Sequence, residues 1–141
     1  MYDFEEKIET AAPPQKVWAI YSDVSGWPRW LPHIESISFP SSFESGDAGT
    51  ATVAVGVSAT VGFHLENVDP MKSFDVVWTV GPLLQTRMKH TLTPTATGGT
   101  LLTYAYHTGG IMAPFNFLQA AAAHDRARPA LEMIVALATR S

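Results

Sequence analysis

From Ile34 to Thr108 apolar and polar side chains alternate one by one, and the alternation breaks only where Gly, Pro, Asp or Asn cluster. Period-two alternation puts successive side chains on opposite faces of a sheet, and short breaks of that composition close hairpins. The stretch therefore predicts one antiparallel meander with a dry face and a wet face. Val57, Ala59, Val61, Phe63 and Leu65 form an apolar row against Ser58, Thr60, Gly62, His64 and Glu66. After Asp69-Pro70, Phe74, Val76, Trp78 and Val80 oppose Asp75, Val77 and Thr79, which are read as the wet side. After Gly81-Pro82, Leu84, Thr86, Met88, His90 and Leu92 oppose Gln85, Arg87, Lys89, Thr91 and Thr93, so His90 falls on the dry side. In the last strand, Thr100 to Thr108, the row Leu102, Tyr104, Tyr106 is assigned inward.

A first strand precedes the meander, Met1 to Thr10, in which Tyr2, Phe4 and Ile8 alternate with charged residues. Pro14 suits the first turn of a helix, and Val17, Ile20, Tyr21 and Val24 recur at helical spacing. Ser25 to Pro32 predicts a second short helical turn bearing Trp27 and Trp30. After an apolar loop at Gly109 to Pro114, residues Phe115 to Thr139 predict a long helix. Pro129 lies inside it and predicts a bend near Asp125 to Arg128 or a break into two segments. A sheet dry on one face must cover that face, and the terminal helix is the long element left to do so. The fold class is therefore α+β: a curved antiparallel sheet of about seven strands around a C-terminal helix, with two short helices after the first strand. A chain of 141 residues fits one domain, 1–141.

Composition removes several functional classes. Thirteen acids against nine bases give −4 with no basic run, which argues against nucleic-acid and anionic-membrane partners. Without cysteine there is no disulfide framework, thiol nucleophile or Cys-type zinc site, and the cytoplasm is the expected compartment. The acidic start reads as no signal peptide, and no apolar run is long enough to span a bilayer. No phosphate-cradling glycine loop, dinucleotide fingerprint or Ser-His-Asp order is present, and the reading calls for no cofactor. His64, Glu66 and His107 could supply metal ligands, but they sit on the wet row and are read as ordinary surface residues. Charged residues are only 16%, and Thr91 to His124 carries none. So bare a stretch predicts a homodimer contact through 91–124, or an apolar mouth.

The ordered set of Pro14 to Trp18, Ser22-Asp23, Trp27-Pro28-Arg29-Trp30-Leu31-Pro32, Val68-Asp69-Pro70, Thr91-Leu92-Thr93-Pro94 and Gly98-Gly99-Thr100 resembles the START-like (SRPBCC) superfamily of polyketide cyclase/dehydrase and lipid-transport type. The resemblance covers nearly the whole chain. It implies the helix-grip fold, in which sheet and long helix enclose an apolar cavity for lipids, polyketides or other hydrophobic molecules.

On that basis the expected function is binding of a small hydrophobic or amphipathic molecule in the cavity. The expected wall combines Phe63, Leu65, Phe74, Val76, Trp78 and Leu84 with Met88, Leu102 and Trp30, and with Met112 and Phe115 from the loop and helix start. His90, Tyr104 and Tyr106 are the polar groups among them, and Arg126 on the terminal helix could clamp a carboxylate, although a cluster such as His124, Asp125 and Arg126 is more often a solvated face. The alternative is a polyketide cyclase, aromatase or dehydrase in which His90, Tyr104 or Tyr106 moves protons. A third reading is an interaction module with a solid core.

Overall fold

The computed structural model describes residues 3–40, 42–55, 57–79, 85–109 and 117–140. Strand β1 (Asp3–Thr10) leads into helix α1 (Pro14–Ser22) and a 3₁₀ helix (Val24–Arg29). The meander follows as β2 (Ile34–Ser38), β3 (Ala48–Val55), β4 (Val57–Asp69), β5 (Ser73–Thr79), β6 (Gln85–Pro94) and β7 (Thr100–Gly109). Helix α2 (Phe117–Arg140) ends the described chain. The strands make one antiparallel sheet in the order β1-β7-β6-β5-β4-β3-β2. Each meander strand pairs with its sequence neighbour, and β1 pairs with β7, joining Asp3 to His107 and Thr10 to Thr100. Among the described residues no helix is long and apolar enough to cross a membrane.

Local chemistry sets the turns. Gly98, at φ 87°, takes the left-handed position between β6 and β7, and the Thr95 hydroxyl accepts the Gly99 amide at 3.0 Å. Gly99 then passes so close to the Thr10 carbonyl that a side chain has no room, which seats β7 against the end of β1. Thr100 fastens the same corner, donating its hydroxyl to the Ala12 carbonyl at 2.8 Å across a fully buried contact.

The strand phases follow the alternation: Phe63, Leu65, Phe74, Val76, Trp78, His90, Leu92, Leu102, Tyr104 and Tyr106 are all buried. Strand β5 departs from it, because Asp75 and Val77, expected to be wet, are buried as well. Arg87 on β6 lies over that face, donating to Asp75 at 2.7 Å and to Glu66 at 2.8 Å, and its long stem shields what would otherwise be solvated. Helix α2 buries Ala123, Ala127, Ala130, Leu131, Ile134 and Ala138, an i, i+4, i+7 stripe.

The expected break at Pro129 is not found; α2 runs through it as one helix. Pro129 and Asp125, the residue whose carbonyl loses its helical partner, are both exposed, so the missing bond falls on the solvent side of the helix. The uncharged outer row of β7 also has an explanation within one chain. β7 is an inner strand, flanked by Glu5, Lys7 and Glu9 of β1 and by Arg87 and Lys89 of β6.

Candidate functional site

The concave side of the sheet divides into a filled part and an open part. Under α1 and the 3₁₀ helix, aromatic rings fill it. His90 stacks on Phe74 with centroids 4.9 Å apart and meets Tyr21 and Tyr104 at 5.0 Å and Trp30 at 5.9 Å. Trp27 joins the block through Trp30 at 5.8 Å and Phe63 at 5.7 Å, with its indole N–H donated to the Tyr21 carbonyl at 2.8 Å. Such ring pairs contribute about 0.5–1.5 kcal/mol each beyond the area they bury. Burial pushes the His90 imidazole down to about 3 and the hydroxyls of Tyr21 and Tyr104 upward, so all three are uncharged at neutral pH. His90 Nδ1, Trp30 Nε1 and the Tyr21 hydroxyl are buried without a hydrogen-bond partner among the described residues.

The open part is a cavity of about 210 Å³ between the other end of the sheet and α2. Its floor is made of cross-strand neighbours: Val53 beside Ala59, Trp78 beside Thr86, and Met88 beside Tyr106, with Val61 along β4. Ala123 and Arg126 of α2 form the roof, and His33, just before β2, closes one end. Two of the lining residues, Ala59 and Ala123, are alanines and project little into the space. Val53 and Val61 keep the floor apolar.

Polar groups in the cavity are few. His33 is held neutral, its imidazole lowered to about 4 chiefly by burial and further by the Arg126 guanidinium, and its Nδ1 is buried without a partner. Trp78 Nε1 is likewise a buried donor with no acceptor among the described residues. Unpaired buried polar atoms cost about 1–3 kcal/mol each, which marks a place where a partner belongs.

Of the residues expected to line the site, Trp78, Met88, Tyr106 and Arg126 do so. Trp30, Phe63, Leu65, Phe74, Val76, His90, Leu102 and Tyr104 are packed in the core and do not line the cavity among its described walls. Leu84, Met112 and Phe115 lie outside the described residues. His33, Val53, Ala59, Val61, Thr86 and Ala123 complete the wall. Ala59, Val61 and Thr86 stand on the inward rows and were legible as such, whereas nothing in the sequence around His33 signals its place.

On the convex face His64 Nε2 meets Glu66 at 2.6 Å, and Arg87 ties Glu66 to Asp75. Arg87 first, and then His64, hold the Glu66 carboxyl below its ordinary range. This is a side-chain lattice bracing three strands. No cluster of three or more metal-ligating side chains occurs among the described residues.

A seven-stranded curved antiparallel sheet closed by one C-terminal helix, with a small apolar cavity between them, defines the START-like helix-grip class. The chain belongs to the polyketide cyclase / dehydrase and lipid transport family, whose sequence profile matches residues 1–139. It is similar in structure to a START superfamily protein from Mycobacterium smegmatis, with 18% identity, a TM-score of 0.75, and coverage of 96% of this chain and 97% of that one. It is also similar to a conserved protein from Geobacillus kaustophilus, with 18% identity, a TM-score of 0.76, and coverage of 99% and 97%. A third similar structure is the Zhui aromatase/cyclase from Streptomyces sp. R1128, with 17% identity, a TM-score of 0.76, and coverage of 99% and 94%. At these identities the likeness is one of fold. No curated protein matches the chain.

Proposed function

We propose that this protein binds a small hydrophobic or amphipathic molecule, lipid- or polyketide-like, in the cavity between the sheet and α2. One observation carries this: the cavity of about 210 Å³, with its apolar floor and its unpartnered polar atoms. At about 24 cal/mol per Å³ a sealed, dry void of that size would cost about 5 kcal/mol; this space is partly open to solvent, so its cost is smaller and lies mainly in apolar wall left against water. A guest offsets that cost. The family's description, which names polyketides and lipids, supports the same class of guest.

Catalysis on such a guest is the second reading, favoured by Tyr106 and His33 at the cavity wall and by the fold shared with an aromatase/cyclase. It ranks second because no carboxylate lines the cavity among the described residues and His33, lowered to about 4, is a weak base. His90 is shut inside the ring block.

The test is mass spectrometry of small molecules extracted from freshly isolated protein, paired with melting curves in the presence of hydrophobic compounds. A ligand selective for the folded state raises stability by RT ln(1 + [L]/Kd). A co-purifying molecule and an upward shift in Tm are expected. Protein that carries nothing and melts at one temperature with every compound would refute the assignment.

A further inference from the structure

The cavity is electrostatically one-sided. Arg126 is the only formally charged residue among its described walls, and no Asp or Glu lines it. Among the described residues Arg126 makes no ion pair, although it is half-buried. The helix positions two residues before and two after it are engaged elsewhere. His124 meets Glu6 at 3.3 Å, and Arg128 donates to the Lys7 carbonyl at 2.6 Å, so both are tied to β1. Arg126 sits one residue before buried Ala127 and three after buried Ala123, on the shoulder of the stripe that faces the sheet. Its guanidinium is thus a cation at an apolar wall with no anion to answer it, and Trp78 Nε1 is a second donor without an acceptor. Both lack the same thing, an acceptor oxygen.

Resting on the binding function proposed above, we infer that the guest is a small organic acid whose carboxylate pairs with Arg126 while its apolar body lies over Val53, Val61 and Met88. The planar guanidinium fork matches a carboxylate in a two-bond geometry, and Trp78 Nε1 can donate to one of the same oxygens. One negative charge balances the single cation. A phosphate, close to doubly charged at neutral pH, would leave charge uncompensated in an apolar space. Size narrows the class further. A space of about 210 Å³ suits a short apolar body such as an eight-carbon chain better than a long one.

The test uses three probes with one chain and different heads: octanoate, octanamide and octylammonium, titrated calorimetrically into the purified protein at pH 7.5 and low salt. Charge-assisted hydrogen bonds predict that octanoate binds about tenfold or more tighter than octanamide, with octylammonium weakest. Arg126→Gln should bring octanoate to within about threefold of octanamide, and Arg126→Lys should retain part of the preference as a point charge. Melting curves of the variants confirm that they fold, and the wild-type comparison of the three heads stands without any variant. Equal binding of octanoate and octanamide by the wild type, or a preference that survives Arg126→Gln, would overturn the acid assignment alone. Failure of all three probes to bind would overturn the binding function together with it.

Discussion

His90 shows how far environment can override the type of a residue. Its ring neighbours come from α1, the segment after it, β5 and β7, and none offers a charge: Tyr21 and Tyr104 are held neutral, and Trp30 and Phe74 have none. Burial therefore sets its protonation, holding it near 3 when folded against about 6.5 in the unfolded chain. Over that interval the unfolded state binds a proton that the folded state refuses. Stability is consequently full above about pH 6.5 and falls as pH drops toward 3. At pH 5 the loss from His90 is about 2 kcal/mol, and His33, lowered to about 4, adds to it over a narrower span. Urea unfolding at pH 7 and pH 5 should register this difference, and His90→Phe should lose visibly less than the wild type on acidification. Equal losses in the two proteins would mean that His90 accepts a proton without unfolding. The alternation of β6 sufficed to put His90 on the dry side. It could not reveal that rings distant in sequence would surround it, so its expected part in the site dissolves into packing.

Secondary elements were the most legible level, and their exceptions share a cause. A strand's phase can be read when one face is wet, as with Phe63 and Leu65 against His64 and Glu66. β5 misleads because the shield over Asp75 and Val77 is the stem of Arg87, supplied by the register of a neighbouring strand rather than by β5 itself. Pro129 misleads in the opposite direction: a breaker in sequence, it is absorbed by α2 because its helical turn faces water. The missing hydrogen bond still weakens the helix. Pro129→Ala restores an amide that can reach the Asp125 carbonyl and should raise stability by about 1–3 kcal/mol, read as a higher urea midpoint at unchanged m. A lower midpoint would show that α2 needs a proline-set curvature to dock. The location of the cavity was not legible at this level, since its wall joins residues far apart in sequence, such as His33, Ala59 and Ala123, that come together only after folding.

At the scale of the whole molecule, a larger side chain and the proposed guest would fill the same volume. Met88 stands on the cavity floor and is only partly buried, so Met88→Trp can extend its ring into the open space. Cavity filling of this kind typically adds about 0.5–2 kcal/mol, and here it should raise Tm while abolishing uptake of octanoate. A solidly packed interior would instead lose about 1–3 kcal/mol, and that result would deny that the space is usable. The pairing of β1 with β7 has a further consequence, for biogenesis. Strand β1 finds its partner only when β7 emerges, so the seam at this edge of the sheet joins the strand before the meander to the meander's last strand. Until then β1 and the amphipathic turn behind it wait on the growing polypeptide with their apolar sides unmatched, a stage at which chaperone attention is most needed. Arg126 is translated later still, on the element that roofs the chamber. The chamber has no roof until the chain has been made through α2, so the guest proposed above can settle only after that point.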